Sequence, residues 1–197
     1  MAICIEQCVY CFDVLVHALD PTKPEPKTPS FPDDNYPLFV TWNKRRSSGN
    51  LDLRGCIGTF SAQPLHAGLQ EFALTSALRD RRFSPITLAE LPRLSCSVSL
   101  LTHFEAANNC YDWEIGTHGI WIEFSDTYGH RRTATYLPDI AAEQRWTKME
   151  TIDSLLRKGG YTGKITDGVR HSIELTRYQS EKASLSYEEY QKLKSQE

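Results

Sequence analysis

Six of the ten prolines fall within residues 21–37, and no other stretch limits the fold so sharply. Proline fixes φ and lacks a backbone N–H, so a segment this rich in it can form neither a helix interior nor a central strand. Residues 21–37 are therefore expected to be an extended connector running over the surface. They divide the chain into an N-terminal segment, 1–20, and a longer remainder, 38–197. In the first part Cys4, Cys8, Cys11, Phe12, Leu15 and Leu19 recur at helical spacing. This predicts an amphipathic helix over residues 3–19, stopped by Asp20-Pro21, with a thiol-rich buried stripe.

The remainder alternates strand and helix signals. Residues 38–42 and 51–60 read as strands joined by a polar loop with Ser47-Ser48-Gly49-Asn50 as its turn, hence a hairpin. Pro64 suits a first helical turn, and Leu65, Leu69, Phe72, Ala73 and Ser76 continue a helix to Leu78. Leu94, Cys96, Val98 and Leu100 alternate with serines as a half-buried strand. Residues 119–124 and 131–137 form a second expected hairpin about Asp126 to Gly129. Thr147-Lys148-Met149-Glu150 has the spacing of a capping box, and Gly159-Gly160 ends the helix behind it. Val169, His171, Ile173 and Leu175 alternate like a strand, and Ser186 with Glu189 marks a C-terminal helix.

The strand-like run over 51–60 contains Leu53-Arg54-Gly55-Cys56-Ile57-Gly58. Two glycines in a strand suggest a bend, a bulge or a close contact. Regular alternation puts Asp52, Arg54 and Cys56 on one face and Leu51, Leu53 and Ile57 on the other. A guanidinium beside a thiol favours the thiolate, so Cys56 is a candidate nucleophile or redox thiol, or a small residue lining a pocket. A nucleophile also needs a base. His66 and His118 are candidates by motif position, although no spacing ties either to Cys56.

Other features carry plainer readings. Cys4, Cys8 and Cys11 have the spacing C-x3-C-x2-C, which superficially matches an iron-sulfur loop, but helical periodicity assigns them to packing. No metal-ligand spacing is present. Gly159-Gly160-Tyr161 follows a helix instead of opening one, so it is a stop and not a phosphate cradle. The net charge of -3 disfavours nucleic acid and anionic membrane as partners. Short basic clusters at Lys44-Arg45-Arg46, Arg79 with Arg81-Arg82, and Arg131-Arg132 fall in expected turns. No run reaches the roughly 20 apolar residues of a membrane span. No Lys or Arg precedes Lys23 and acids interrupt the first apolar run, so the start does not read as a secretion signal. Six cysteines are then expected as free thiols in the reducing cytosol or nucleus.

Several separated motifs resemble one family in the same order: Cys8-Val9-Tyr10-Cys11-Phe12-Asp13, the hexapeptide, Arg79-Asp80-Arg81-Arg82-Phe83, and Gly116-Thr117-His118-Gly119. Ala134-Thr135-Tyr136-Leu137-Pro138, Leu155-Leu156-Arg157-Lys158-Gly159-Gly160-Tyr161 and Thr176-Arg177-Tyr178-Gln179 complete the series. The chain resembles a stand-alone AMMECR-type domain, the family named for the Alport syndrome, midface hypoplasia, intellectual disability and elliptocytosis chromosomal region. The resemblance implies one α+β domain over residues 1–197 with two subdomains, an antiparallel sheet and no settled activity. Prokaryotic relatives occur beside Memo-like and radical-SAM proteins, and the Cys-rich start and Pro-rich segment resemble eukaryotic members.

Together these readings give an α+β fold, mainly antiparallel, with helices flanking the sheet. The expected function is a module that binds a small molecule or a protein in a cleft around Arg54, Gly55, Cys56, Ile57 and Gly58. Arg79 and Asp80 stand at its edge, with His118 and Tyr136 as further candidates. The alternative is a thiol-dependent enzyme using Cys56, in a pathway with Memo-like or radical-SAM partners. No cofactor or metal is called for.

Overall fold

The computed structural model describes residues 2–196, which divide into two units. The first contains the residues up to Leu100 and those from Glu181 onward; the second is Leu101–Ser180. The helices are α1 (Ile5–Leu19), α2 (Leu65–Leu78), α3 (Pro138–Gln144), α4 (Lys148–Lys158), α5 (Asp167–His171) and α6 (Tyr187–Lys194). The strands are β1 (Asn35–Arg45), β2 (Leu51–Pro64), β3 (Leu94–Ala106), β4 (Gly119–Ser125), β5 (Arg131–Tyr136) and β6 (Glu174–Ser186). They are hydrogen-bonded in the order β2-β1-β3-β6-β4-β5, with β3 and β6 running through both units. The expected α+β class with an antiparallel sheet is what the structure has.

In the first unit α1 and α2 cover one face of β1, β2 and β3. Cys8, Cys11, Phe12 and Leu15 on α1 meet Leu38, Val40 and Trp42 on β1 and Leu69 and Ala73 on α2, all fully buried. The Trp42 indole N–H donates to the Ala73 carbonyl at 3.0 Å, so the largest core side chain leaves no unpaired donor. Cys8 and Cys11 lie against Cys96 of β3, and all three are free and buried. The thiol stripe is thus core packing, except that Cys4 stands half-buried at the N-cap, outside the helix.

The connector does not extend as far as its prolines suggest. β1 begins at Asn35, so Pro37 lies inside a strand, at a register shift between Tyr36 and Leu38 that accommodates the missing donor. Phe31 leaves the connector to be buried in the first core. β1 and β2 form the expected hairpin, closed by Arg46 N–H to Asn50 O at 2.8 Å and by Gly49 with φ +87°.

A second register shift alters the reading of β2. Trp42 pairs with Gly55 while the next residue, Asn43, pairs with Leu53, so Arg54 is the extra residue of a β-bulge. Strict alternation ends there. Leu51 and Leu53 are 52% and 41% exposed, and Asp52 forms an ion pair with Arg46.

The two glycines of the hexapeptide are explained by close approach. A Cβ on Gly55 would fall on the backbone carbonyl of Ser76 in α2, and one on Gly58 would fall on the Leu38 carbonyl and the Phe39 ring. These glycines let a helix and a neighbouring strand pack directly on β2.

In the second unit β5, β4 and the first half of β6 bury Ile120, Ile122, Phe124, Ala134 and Leu175 against α4, through Ile152, Leu155 and Leu156. The capping box of α4 is present: Thr147 and Glu150 bond reciprocally, and Gly160 ends the helix with φ +93°. The expected strand over 169–175 is corrected. Thr166 caps a short helix, α5, and Arg170 reaches back to Asp153 at 2.7 Å, so β6 starts only at Glu174. Alternating apolar residues over so short a run fit either conformation, and the cap and ion pair decide it. Two further elements lack an apolar period of their own: a 3-10 helix over Leu88–Arg93 and α3, which opens on Pro138.

Gly55→Ala should destabilise the protein by about 2–3 kcal/mol, because the added methyl meets rigid backbone. Gly168→Ala is the reference, since its Cβ would meet the nearest atom at an ordinary 3.7 Å. Urea unfolding should show a lowered midpoint for the first variant only.

Candidate functional site

β2 is an edge strand, and an edge strand exposes backbone groups that no neighbour satisfies. At Cys56 two side chains do this work. The Cys56 N–H donates to Asp80 Oδ2 at 3.0 Å, and Arg82 Nη2 donates to the Cys56 carbonyl at 3.0 Å. Arg82 also donates to Asp80 through Nε at 2.9 Å and Nη2 at 2.6 Å, and its backbone N–H reaches Asp80 Oδ1 at 3.1 Å. A carboxylate and a guanidinium thus take the place of a strand partner. Asp80 is only 5% exposed. The Arg82 guanidinium, with the Cys56 and Arg82 amides, holds its carboxyl well below the usual carboxylate range despite the opposing cost of burial.

A second carboxylate fastens the other end of the same segment. Arg54, re-aimed by its bulge, donates from Nε to Glu90 Oε1 at 3.0 Å and from Nη2 to Glu90 Oε2 at 3.2 Å. Its remaining donors go to the Ser84 and Pro85 carbonyls at 2.7 and 3.2 Å. Lys44 adds an ammonium to Glu90 at 2.7 Å, and Glu90 accepts from the Thr87 amide at 2.9 Å. Arg54, Lys44 and the Thr87 amide together hold the Glu90 carboxyl far below its ordinary value. The segment from Asp80 to Glu90 is therefore strapped along the edge of β2 at both ends.

This arrangement redefines the candidate residues. Arg54 is 11% exposed in its side chain and is engaged by Glu90 and two carbonyls, not by the Cys56 sulfur. Cys56 is half-buried, and its Sγ accepts from Thr41 Oγ1, its cross-strand neighbour, at 3.1 Å. Ile57 packs partly against the first core. His66 has its ring nitrogens at the Phe31 carbonyl, 2.8 Å, and near Asp33, 3.9 Å. Arg79 caps α2 through its backbone, and its exposed side chain, like that of Arg81, makes no hydrogen bond or ion pair among the described residues.

His118 and Tyr136 belong to the second unit. His118 Nδ1 accepts from the Glu114 amide at 2.9 Å, which leaves the proton on Nε2 of the neutral ring. The Tyr136 hydroxyl pairs with Ser154 at 3.0 Å, and the Lys158 ammonium sits 4.5 Å over its ring while donating to the Thr135 carbonyl at 2.8 Å. Burial pushes the Lys158 ammonium down. Tyr178 donates to the Tyr136 carbonyl at 3.0 Å, and its own burial pushes its phenol up to about 12. Among the described residues no group of three or more His, Cys, Asp or Glu side chains could hold a metal ion.

The participants missed from sequence are Thr41, Lys44, Arg82 and Glu90. Glu90 carried a signal, since Thr87-Leu88-Ala89-Glu90 is a capping box and the structure shows it formed. Its second role, as the counter-ion of Arg54, depends on a tertiary contact.

The profile of the AMMECR1 family matches residues 8–183. An uncharacterized protein of Arabidopsis thaliana is 53% identical over 94% of this chain and 86% of its own length. One of Schizosaccharomyces pombe is 42% identical over 94% of each chain. The crystal structure of an uncharacterized protein from Pyrococcus horikoshii has the same fold, with a TM-score of 0.65 at 22% identity, covering 89% of this chain and 87% of that one.

Asp80 and Glu90 set a pH dependence. Their folded carboxyls sit below the unfolded values of 3.8 and 4.5, so their stabilisation is complete above that range and is lost as pH falls below it. Chemical unfolding between pH 7 and pH 3 should show a steep loss of stability in the native protein. The loss should be shallower in Asp80→Asn and Glu90→Gln, which start lower by about 1–3 kcal/mol at pH 7.

Proposed function

The chain belongs to the AMMECR1 family, and we propose that it is a non-catalytic binding module that presents the strapped segment after α2 to an acidic segment of a protein partner. One observation carries this reading: Arg79 and Arg81 are exposed and, among the described residues, unpaired at either side of Asp80, on backbone held by the Asp80–Cys56–Arg82 clamp. A held backbone limits the freedom lost on binding to that of the side chains, and two such cations favour an acidic surface. Arg54 holds this segment through Glu90 and the Ser84 and Pro85 carbonyls, and Cys56 holds it through its backbone, while Gly55 and Gly58 admit α2 and β1 against the same strand.

The thiol-enzyme reading has less support. Arg54 is spent on Glu90, the described partner of Cys56 Sγ is the Thr41 hydroxyl, and His66 is held at the Phe31 carbonyl. A nucleophile needs a base within hydrogen-bond reach. Residence in the cytosol or nucleus is part of the same proposal and fits six free thiols. No helix among the described residues is long and apolar enough to cross a membrane.

The test is fluorescence anisotropy with a labelled glutamate-rich peptide. Arg79→Ala/Arg81→Ala should weaken binding about tenfold or more, equivalent to about 1.4 kcal/mol, without moving the thermal midpoint. Cys56→Ser should bind as the native protein does. Equal binding by the arginine variant would overturn the proposal. Alkylation of Cys56 by iodoacetamide at neutral pH far faster than an ordinary thiol would favour the enzyme instead.

A further inference from the structure

A cavity of about 580 Å³ opens in the first unit between α1, the proline-rich connector and α6. We infer that it is a binding site for a planar aromatic anion, a role separate from the strapped segment on β2. Its volume lies within the roughly 300–1,000 Å³ of small-molecule sites. Val16, Pro24 and the rings of Tyr187 and Tyr190 line it. Tyr190 is fixed from behind by Phe12, stacked at 5.0 Å, and Tyr187 packs 5.7 Å from Tyr190. The aromatic wall is therefore rigid, and a flat ring can lie against it at little entropic cost.

The polar groups around the cavity select the charge. Asp13 is already occupied: it accepts from the Tyr190 hydroxyl at 2.7 Å and faces the Lys194 ammonium at 3.4 Å. Lys23 and Lys27 reach the cavity from the connector, are exposed, and have no hydrogen bond or ion pair from their side chains among the described residues. The half-buried Tyr187 hydroxyl is likewise unpartnered among those residues. Among the described residues Glu25 is the remaining carboxylate lining the cavity and opposes an anion; Asp20, which does not line it, shares the charge of Lys23, and Lys23 with Lys27 still outnumbers Glu25 along the wall. The site thus offers a ring-binding wall at one side and cations with a spare hydroxyl at the other. Tyr187, Tyr190 and Lys194 lie beyond residue 183, where the match to the family profile ends.

The experiment uses the full chain and three probes in calorimetric titration: 1-naphthoate, its neutral analogue 1-naphthalenemethanol, and cyclohexanecarboxylate, an anion without an aromatic ring. Saturable one-to-one binding of naphthoate is expected, at least tenfold tighter than either other probe and weaker at high salt. Lys23→Ala/Lys27→Ala lies on exposed connector and should leave the fold intact while bringing naphthoate down to the level of the neutral probe. Tyr187→Ala should weaken both ring-containing probes. Naphthoate binding that is absent, no tighter than cyclohexanecarboxylate, or unchanged by the lysine substitutions would overturn the assignment.

Discussion

An edge strand that is pressed by a helix on one face still has backbone donors and acceptors along its free side. At the hexapeptide this constraint is met by side chains. Asp80 accepts the Cys56 N–H, Arg82 donates to its carbonyl, and the two hold each other. Much of the first unit's local order depends on that contact. It sets where the chain turns on leaving α2, keeps the Asp80–Glu90 segment against β2, and blocks a second chain from adding to the sheet at this point.

The same contact explains why a strand carries the spelling Arg-Gly-Cys-Ile-Gly. Gly55 admits the Ser76 carbonyl, Gly58 admits β1, and the bulge turns Arg54 toward Glu90. An arginine that first reads as an activator of the adjacent thiol is instead a strap for the segment that follows α2. On the function proposed above, the acting groups are not the sulfur but what the strap presents, the exposed guanidinium groups of Arg79 and Arg81.

Elements whose ends are written in local chemistry were legible in the sequence. The capping boxes at Thr147 and Ser186, the Gly49 turn and the Gly160 stop all appear as read, because each depends on residues within four positions. The helix over Asp167–His171 was not legible, since its competing strand pattern was resolved by Arg170 bonding to Asp153, 17 residues away in sequence. The hexapeptide was recognisable as a special site, but its partners Glu90 and Arg82 lie 36 and 26 residues further along from Arg54 and Cys56. A one-residue bulge was enough to redirect Arg54; the two glycines allowed a bulge among other readings, but nothing local fixes its position or the direction in which it turns Arg54.

Amide hydrogen exchange at Cys56 tests the clamp most directly. On a bare edge this amide would exchange at nearly the rate of an exposed loop; closed by Asp80, it should be protected about as well as amides inside the β1–β2 ladder. Asp80→Ala should abolish that protection at Cys56 while leaving ladder amides such as that of Val40 slow. Fast exchange at Cys56 in the native protein, or protection unchanged in Asp80→Ala, would contradict the central role given to this contact.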